Sequence, residues 1–340
     1  MCVVHPDISF DLITMNKRRD LLLAVTAVAF GLPLSAVDAH AASFPDKPVK
    51  LIVPFPPGGS TDLIARLLAE KMSAILGQQV VVDNRAGAGG AIGISAVARA
   101  EPDGYTIGMA TVSTHGANPA VYTKLPYDPV KDFQPITNVM SVPSVFVVSP
   151  KLPVKTMQEF IALAKSQPGK LTFASPGNGS LGHVNVEQFM DLAGIKLTHV
   201  PYKGAGQAAT DALAGTVDAM TDNLPSSLPH IKAGRLRALA VLSPQRSPLL
   251  PDVPTYRELG FEAMSEGGWF GLVAPAGTPA PVIEKLMVTA HQAMQDPAFK
   301  QRTIDISGVP MANTPAQFAQ QIRETMDKYA RIAKVANIKL

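Results

Sequence analysis

The stretch Val49–Asp62, with the sequence VKLIVPFPPGGSTD, constrains the fold of this chain more than any other. Its first five residues are mostly branched aliphatic and are bounded by prolines, which predicts a short buried strand. The Pro and Gly residues that follow interrupt regular structure, and a helix is predicted over residues 62–76, with Ser60 or Thr61 as its N-cap. Such a helix start offers free N–H groups to an anion, or else it is an ordinary strand–loop–helix junction.

The alternation of strand and helix continues along the chain and predicts an α/β fold with βαβ units and largely parallel sheets. No strand is expected after Ala274. The predicted strands cover residues 49–53, 79–83, 106–110, 144–149, 171–175, 197–200, 217–221, 236–242 and 269–274. The predicted helices cover residues 62–76, 91–100, 157–165, 181–193, 207–214, 228–232, 281–295 and 315–336.

The strand pattern restarts near Ser144, which predicts a division of the chain into two lobes. The expected first lobe comprises residues 44–140 together with 267–340, because the C-terminal helices lack a sheet of their own. Residues 141–266 form the expected second lobe. A ligand cleft is expected between the lobes, and lobes of this length are ordinary domain sizes.

Residues 1–41 have the features of an export signal. The basic residues Lys17–Arg19 precede the apolar run Leu21–Leu34, which is too short to span a bilayer, and Ala39–Ala41 fits a signal-peptidase site. Two adjacent arginines also fit the twin-arginine export pattern, so the Sec route and the twin-arginine route both stay open. Met15 is the expected true start of the chain, and the periplasm is the expected location.

Composition excludes several classes of function. The single cysteine, Cys2, lies in the expected leader, so the mature chain has no thiol for catalysis, metal binding or disulfides. The formal net charge is only +3, without a Lys/Arg block, which argues against nucleic acid and is compatible with a small anionic ligand. No nucleophile-elbow, Walker A or kinase motif is present, and an enzyme is therefore not expected.

Four polar turns follow predicted strands, at residues 54–62, 111–118, 176–183 and 201–206. Because ligands of open α/β sheets bind beyond the carboxyl ends of the strands, we expect these turns to form one site. The turns contain no arginine and one lysine, Lys203, so an anion is expected to be held by neutral donors. Ser180 is the expected N-cap of the helix over residues 181–193, and the opposed helix starts near Ser60 and Ser180 suggest an anion or a pair of carboxylates held between the lobes. The neutral donors are Ser60, Thr61, Thr111, Ser113, Thr114, Asn118, Ser175, Asn178 and Ser180.

Two histidines and two aspartates of these regions have alternative interpretations. His115 and His183 lack the spacing of a metal site, which favours hydrogen bonding or capping over metal ligation. Asp62 and Asp222 either orient a ligand amino group or hydroxyl, or simply stabilise a helix start.

Two further expectations concern the site. Trp269, Phe270 and Gly271 are expected to form a packed crossover, with ligand stacking as the alternative. Gly58→Val is expected to impair binding more than folding, because a side chain would crowd the N–H groups that face the ligand.

Six segments together resemble the substrate-binding proteins of the tripartite tricarboxylate transporters, the Bug family, similar to the TctC receptors. The resemblance covers essentially the whole chain after the leader. The segments are FPDKPVK at 44–50, VPFPPGGSTD at 53–62, VVDNRAGAGGAIG at 81–93, DGYT at 103–106, VPYKGAG at 200–206 and APAGTP at 274–279.

The resemblance implies a periplasmic, monomeric two-lobe receptor without cofactor or metal, whose cleft closes on a small organic carboxylate. The receptor would deliver this ligand to a membrane permease; a sensory role, or an enzyme on the same fold, are the alternatives. Dicarboxylates are favoured over aromatic monoacids, although Phe55 and Tyr202 keep the aromatic class open. The implied ligand-binding residues are Phe55, Pro56, Pro57, Gly58, Gly59, Ser60, Thr61, Asp62, Thr111, Ser113, Thr114, Asn118, Ser175, Pro176, Gly177, Ser180, His183, Lys203, Gly204, Gly206 and Asp222.

Overall fold

A computed structural model describes residues 44–340 of the chain. The expected leader, residues 1–41, lies outside the described residues, so its assignment stays a prediction. Among the described residues, no helix is long and apolar enough to cross a membrane.

Eleven strands occur in this part of the chain. They are β1 (Val49–Val53), β2 (Val80–Asn84), β3 (Thr106–Thr111), β4 (Phe133–Val142), β5 (Ser144–Val148), β6 (Thr172–Ser175), β7 (Thr198–Pro201), β8 (Ala219–Asn223), β9 (Arg237–Leu242), β10 (Gly268–Pro275) and β11 (Val309–Pro310).

Ten α-helices accompany the strands of the described chain. They are α1 (Ser60–Leu76), α2 (Ala91–Ala98), α3 (Asn118–Val121), α4 (Met157–Ser166), α5 (Leu181–Ala193), α6 (Ala205–Ala214), α7 (Leu224–Lys232), α8 (Ala280–Gln295), α9 (Pro297–Asp305) and α10 (Pro315–Val335). A 3₁₀ turn at Ala88–Gly90 precedes α2, and a π-helical turn at Ser113–Ala117 precedes α3.

The strands form two separate sheets, as an α/β fold of two lobes requires. The first sheet has the order β11-β4-β10-β3-β1-β2, and the second has the order β7-β6-β8-β5-β9. The chain passes from β4 to β5 across Pro143 and returns between β9 and β10. The exact lobe boundaries, 140/141 and 266/267, stay a prediction.

The prediction of largely parallel sheets was wrong, because both sheets are mixed. In the first sheet β2-β1-β3 are parallel, whereas β10 lies antiparallel to both β3 and β4. In the second sheet β5 lies antiparallel to both β8 and β9. The strands β10 and β5 enter from the opposite sheet without a crossover helix, and parallel pairing would require one.

Four elements were not predicted from the sequence, and the four-residue helix α3 is one of them. The strand β4 carries Pro135 and the buried polar residues Thr137 and Asn138, so its pattern lacks a regular apolar face. The helix α9 and the two-residue strand β11 also went unrecognised, and β11 contradicts the expectation of no strand after Ala274.

The helix α1 shows how the local sequence positions the site. It packs Ile64, Leu68 and Met72 into the core, and Gly77 ends it in the left-handed conformation, as predicted. Its N-cap is Gly59 and no side chain caps it, so the prediction of a Ser60 or Thr61 cap was wrong. The Ser60 hydroxyl makes other contacts, described below.

Candidate ligand-binding cavity

A cavity lies where helix starts of both sheets converge. About 580 Å³ of space here is not filled by protein atoms, open solvent included, and the centre of a water-sized molecule reaches about 40 Å³ of it. The walls are therefore close together, as expected for a site that encloses a small molecule. Its lining residues are Phe55, Pro56, Gly59, Ser60, Thr61, Thr111, Val112, Ser113, Ser144, Pro176, Leu181, Gly182, Ala205, Thr221, Asp222, Asn223, Gly268, Trp269 and Phe270.

The first wall is the turn from β1 into α1. Asp62, which is 2% exposed, holds this turn from behind rather than facing the cavity. Its Oδ2 accepts hydrogen bonds from the Gly58 N–H at 3.0 Å and from Arg66 Nε at 3.0 Å, and its Oδ1 accepts from Asn84 Nδ2 at 2.9 Å. These bonds fix the turn, so the first N–H groups of α1 stay at the cavity without a capping side chain to hold them.

The pKa of Asp62 reflects this anchoring. Burial alone raises the pKa of this carboxyl, but the hydrogen bonds from Arg66, Gly58 and Asn84 outweigh burial and lower its pKa below the usual value. The ion pair with Arg66, at 3.0 Å, acts in the same direction. Asp62 is thus an ionised structural anchor.

The opposite wall is the turn from β8 into α7, where Asp222 is buried. Its Oδ1 accepts the Asn223 N–H at 2.7 Å, and its Oδ2 accepts the hydroxyls of Ser226 at 2.5 Å and Ser227 at 2.8 Å. Burial nevertheless raises the pKa of Asp222 to about 6, because no cation compensates the buried charge. Asp222 is the one ionisable residue among the described residues that line the cavity.

Direct hydrogen bonds connect the two walls. Ser60 Oγ lies 2.7 Å from Ser226 Oγ and accepts the Ser226 N–H at 3.1 Å. On another side, Ser113 Oγ accepts the Leu181 N–H at 3.0 Å. A side chain at Gly204 would overlap Pro56, so the β7–α6 turn also packs on the β1–α1 turn.

The third wall is the start of α5. Ser180 is its N-cap and accepts the His183 N–H at 3.3 Å, which confirms the predicted cap. His183 Nδ1 accepts the Gly179 N–H at 3.2 Å, and its ring stacks on His199 at 4.1 Å. His183 therefore acts in hydrogen bonding and packing within its own turn.

His115 also follows the interpretation that favoured hydrogen bonding. Its Nδ1 lies 2.9 Å from Thr114 Oγ1, its ring packs edge-on against Phe133, and burial lowers its pKa to about 3. Residues 44–340 contain no group of three or more His, Cys, Asp or Glu side chains arranged to hold a metal ion.

Nine of the predicted ligand-binding residues line this cavity, and their role in binding stays a prediction. All nine lie at or just beyond the ends of β1, β3, β6 and β8. These nine are Phe55, Pro56, Gly59, Ser60, Thr61, Thr111, Ser113, Pro176 and Asp222.

The other twelve predicted residues lie behind the cavity wall or at the surface. Pro57, Gly58, Lys203 and Gly206 are exposed, so Lys203 supplies no positive charge to the cavity wall. The rest hold the turns: Asn118 donates to Gly89 O and Tyr127 Oη, and Ser175 Oγ lies 2.6 Å from His199 Nε2. The residues outside the wall are Pro57, Gly58, Asp62, Thr114, Asn118, Ser175, Gly177, Ser180, His183, Lys203, Gly204 and Gly206.

The sequence analysis missed about half of the lining. Part of it was within reach, because Leu181, Gly182 and Ala205 lie within predicted turns, and Asn223 follows Asp222. Trp269 and Phe270 were instead expected to form a packed crossover. They lie on β10, whose insertion between β3 and β4 is a long-range event, and Trp269 donates its indole N–H to Thr325 Oγ1 at 3.2 Å.

The tyrosine expected to keep an aromatic ligand possible lies elsewhere. Tyr202 is outside the cavity wall and donates its hydroxyl to Asp211 at 2.5 Å. Burial and this carboxylate raise the pKa of Tyr202 to about 12. Phe55 and Trp269 are the cavity's large aromatic side chains together with Phe270.

An α/β fold with two sheets and a cavity ringed by helix starts is the architecture of the periplasmic binding proteins. The family model described as tripartite tricarboxylate transporter family receptor, TctC, matches residues 64–338. The chain belongs to this family, which confirms the resemblance found in the sequence.

Individual relatives support the same assignment. Protein BugT of Bordetella pertussis is 38% identical over 327 residues, which cover 96% of this chain and all of that protein. A structure described as a periplasmic transporter is 47% identical, with a TM-score of 0.85, covering 87% of this chain and 99% of the other.

Two similar structures contain carboxylates. Rpa4515 of R. palustris with adipate is 35% identical, with a TM-score of 0.84, covering 87% of this chain and 99% of the other. MatC of Rhodopseudomonas palustris with bound malate is 34% identical, with a TM-score of 0.82, covering 85% and 99%. The chain is thus a solute-binding receptor by family.

Proposed function

We propose that this chain is an exported periplasmic receptor that binds a small dicarboxylate in the described cavity and delivers it to a tripartite membrane permease. Its relatives with adipate and malate support the ligand class, since both ligands are dicarboxylates. The receptor works as a monomer, without catalysis, in the periplasm after removal of residues 1–41. Lobes of residues 44–140 with 267–340 and of 141–266 close on the ligand.

The observation that carries this proposal is the convergence of helix starts on a cavity without a lining cation. Gly59 and Ala205 lie at the starts of α1 and α6, and neither start has a side-chain cap hydrogen bond. The start of α7 is different, because its Leu224 and Ser226 N–H groups are paired with Pro143 O and Ser60 Oγ. Unpaired N–H groups at a helix start attract anions through hydrogen bonds and the helix dipole.

Magnitudes indicate how the anion is held. One helix start contributes about 0.3–1 kcal/mol, whereas micromolar binding requires about 8 kcal/mol. Several helix starts together still fall short of that value, so hydrogen bonds from Thr61, Thr111 and the backbone must add to them. The narrow cavity supplies the enclosure that strengthens each of these hydrogen bonds.

A thermal-shift panel tests the ligand class. The mature protein is unfolded and refolded to remove co-purified ligand, and is then heated with malate, adipate, benzoate, glucose, lysine and phosphate. A ligand at about a hundred times its Kd stabilises by roughly 2.7 kcal/mol, which moves the Tm by several degrees at this chain length. Dicarboxylates are expected to give the largest shift.

Matched variants then place the ligand. Thr61→Val removes one cavity hydroxyl without changing side-chain shape, and a loss of roughly one hydrogen bond, about tenfold in Kd, is expected. Thr106→Val is the control for loss of a threonine hydroxyl. Thr106 is the first residue of β3 and lies outside the cavity wall, whereas Thr111 at the other end of that strand lines the cavity. Shifts with glucose or lysine alone, or equal effects of the two variants, would contradict the proposal.

A further inference from the structure

A chain of three hydrogen-bonded side chains joins the buried acid of one wall to the hydroxyl of the other. Ser226 Oγ lies 2.5 Å from Asp222 Oδ2 and 2.7 Å from Ser60 Oγ. Both hydroxyls also lie near the Asn223 carbonyl oxygen, Ser226 Oγ at 3.2 Å and Ser60 Oγ at 3.3 Å. Ser60 lines the cavity, so the state of Asp222 can reach a ligand through Ser226.

The ionised form of Asp222 fixes the direction of these hydrogen bonds. A carboxylate can only accept, so Ser226 donates its single hydroxyl hydrogen to Asp222. Ser226 Oγ then accepts in the contact with Ser60, whose hydrogen points to Ser226 or to the Asn223 carbonyl. Because Ser60 Oγ meanwhile accepts the Ser226 N–H, it presents an oxygen lone pair, not a hydrogen, to the cavity.

Protonation of Asp222 reverses this order. A carboxylic acid carries one donor, so Asp222 donates to Ser226 Oγ, and the Ser226 hydroxyl hydrogen becomes available to Ser60 Oγ. The hydroxyl hydrogen of Ser60 is then released from Ser226 and can turn to the cavity. An anionic ligand gains a donor there and meets no negative charge on Asp222.

A ligand can shift the protonation equilibrium of Asp222, because the groups around this acid do not fix its charge. The described lining residues from α1, α5, α6, β3, β5, β6 and β10 include no other acid or base. On α1, Asp62 is engaged with Arg66, and on α7 the basic residues His230 and Lys232 lie in the last turn. Burial raises the pKa of Asp222 to about 6, so its proton is exchanged near neutral pH.

We propose that Asp222 and Ser226 are specificity-determining residues, which decide through a hydrogen-bond relay whether Ser60 offers the ligand a hydrogen or an oxygen. The ligand carboxylate binds the state in which Asp222 carries a proton. This inference rests on the proposed function and adds that ligand binding takes up a proton at Asp222.

The test is calorimetric titration with malate, and with adipate as a second probe, at about pH 5.5 and pH 8. Because these ligands titrate in the same range, the ratio of Kd at the two pH values is compared among variants with the same ligand. From pH 5.5 to pH 8, the factor by which Kd rises is expected to be about tenfold larger in wild type than in Asp222→Asn. The asparagine amide can donate to Ser226 permanently and imitates the protonated acid.

Ser226→Ala and Ser227→Ala form the matched pair. Both serines donate to Asp222 Oδ2, but Ser226 alone also contacts Ser60. Ser227→Ala is expected to keep the wild-type ratio, with its midpoint moved upward because the ionised acid loses one hydrogen bond. In Ser226→Ala, the rise in Kd between the two pH values is expected to be at most about threefold, which is the part that charge repulsion alone supplies. Ser226→Thr keeps a hydroxyl and is expected to restore the wild-type rise in Kd.

The outcomes separate the relay from the proposed function. Equal ratios in Ser226→Ala and Ser227→Ala, or a wild-type ratio equal to that of Asp222→Asn, overturn the relay. If Asp222→Asn does not fold, the serine pair still decides. Absence of binding by malate and adipate at every pH contradicts the proposed function itself, and the relay falls with it.

Discussion

The starts of α1 and α5 have the same plan in the sequence and opposite roles in the structure. Each follows a strand and a Pro/Gly/Ser turn. In α5, Ser180 caps its own helix, and Ser113 takes up a second N–H. In α1, no side chain caps the helix, and Ser60 reaches across the cavity to Ser226 instead.

The difference shows that an anion site requires a helix start that is left open. Two of the first N–H groups of α5 are already paired, so protein groups satisfy part of this helix start and fewer N–H groups are free for an anion. The α1 start is held from behind by Asp62, which leaves its N–H groups for the cavity, while the Ser60 hydroxyl bonds to the opposite wall. The two helix starts near Ser60 and Ser180, between which an anion is predicted to bind, are therefore not equivalent.

Removing the anchor of α1 is the strongest way to break this comparison. Asp62→Ala leaves the Gly58 N–H, Arg66 and Asn84 without their acceptor, and a loss of about 2–3 kcal/mol in the free energy of unfolding is expected. Urea denaturation measures it. A loss below about 0.5 kcal/mol would mean that the turn holds itself.

The pH dependence of the Asp62 contribution follows from its lowered pKa. The stabilisation is present above the unfolded-state pKa of the carboxyl, near 3.8, and is lost as pH falls through the lower folded-state pKa. The stability difference between wild type and Asp62→Asn should therefore be constant from about pH 5 to 7 and shrink below about pH 4. A difference that grew on acidification would contradict the anchor.

Asp222 is the opposite case and gives the next largest effect. Its pKa is raised from 3.8 to about 6, so the folded state binds more protons than the unfolded state in that window, and stability falls as pH rises through it. Asp222→Asn, without ligand, should be more stable than wild type by on the order of 2–3 kcal/mol at pH 8.

The difference should shrink as pH falls and vanish below about pH 3, where Asp222 is neutral in both states because the pH lies under the unfolded-state pKa of 3.8. Denaturant titrations of the ligand-free proteins at the two pH values measure both numbers, with Asp62→Asn as the control of opposite sign. Equal stability of Asp222→Asn and wild type at pH 8 would show that the ionised acid is fully compensated by its three hydrogen bonds.

Local pattern predicted the elements of the fold but not how they combine. The β1 strand, the α1 helix and the Ser180 cap depend on neighbouring residues, and their prediction was accurate. The partners of Ser60 lie more than 160 residues away in the chain. No local rule ranks that contact above the ordinary capping role of a serine at a helix start.

The same limit explains the missing strand and the missing lining. In β4, Thr137 donates to the Asn313 carbonyl at 2.7 Å and Asn138 to Gln321 at 2.8 Å, so buried polar residues are satisfied by the distant C-terminal region. Once β4 was missed, β10 had no known neighbour. Trp269 and Phe270 therefore went unassigned to the cavity.

Exchanging the two serines for alanine sharpens the comparison at about 1 kcal/mol. Ser180→Ala removes a helix cap and should lower the free energy of unfolding by about 1 kcal/mol, a fall of roughly 2–4 °C in Tm. Ser60→Ala removes no cap from its own helix but leaves the Ser226 N–H of α7 without its acceptor, so it should weaken malate binding as well as stability. Thermal unfolding without ligand and titration with malate measure the two effects, and equal patterns in both variants would contradict the asymmetry.

Gly58 gives the smallest effect and revises an expectation from the sequence. We expected a side chain at Gly58 to impair binding more than folding, because its N–H would face the ligand. That N–H instead donates to Asp62, and a Cβ at this position meets no atom within 4 Å. The residue has a φ of +84°, where any side chain is strained.

Gly58→Ala should therefore cost about 1 kcal/mol or less of stability, since the lower entropy of the unfolded chain offsets part of the strain. The affinity for malate should stay unchanged in the folded variant. Gly77→Ala, at a similar φ of +70° on the far end of α1, is the matched control for strain alone. A Kd that rises in Gly58→Ala but not in Gly77→Ala would return Gly58 to the site.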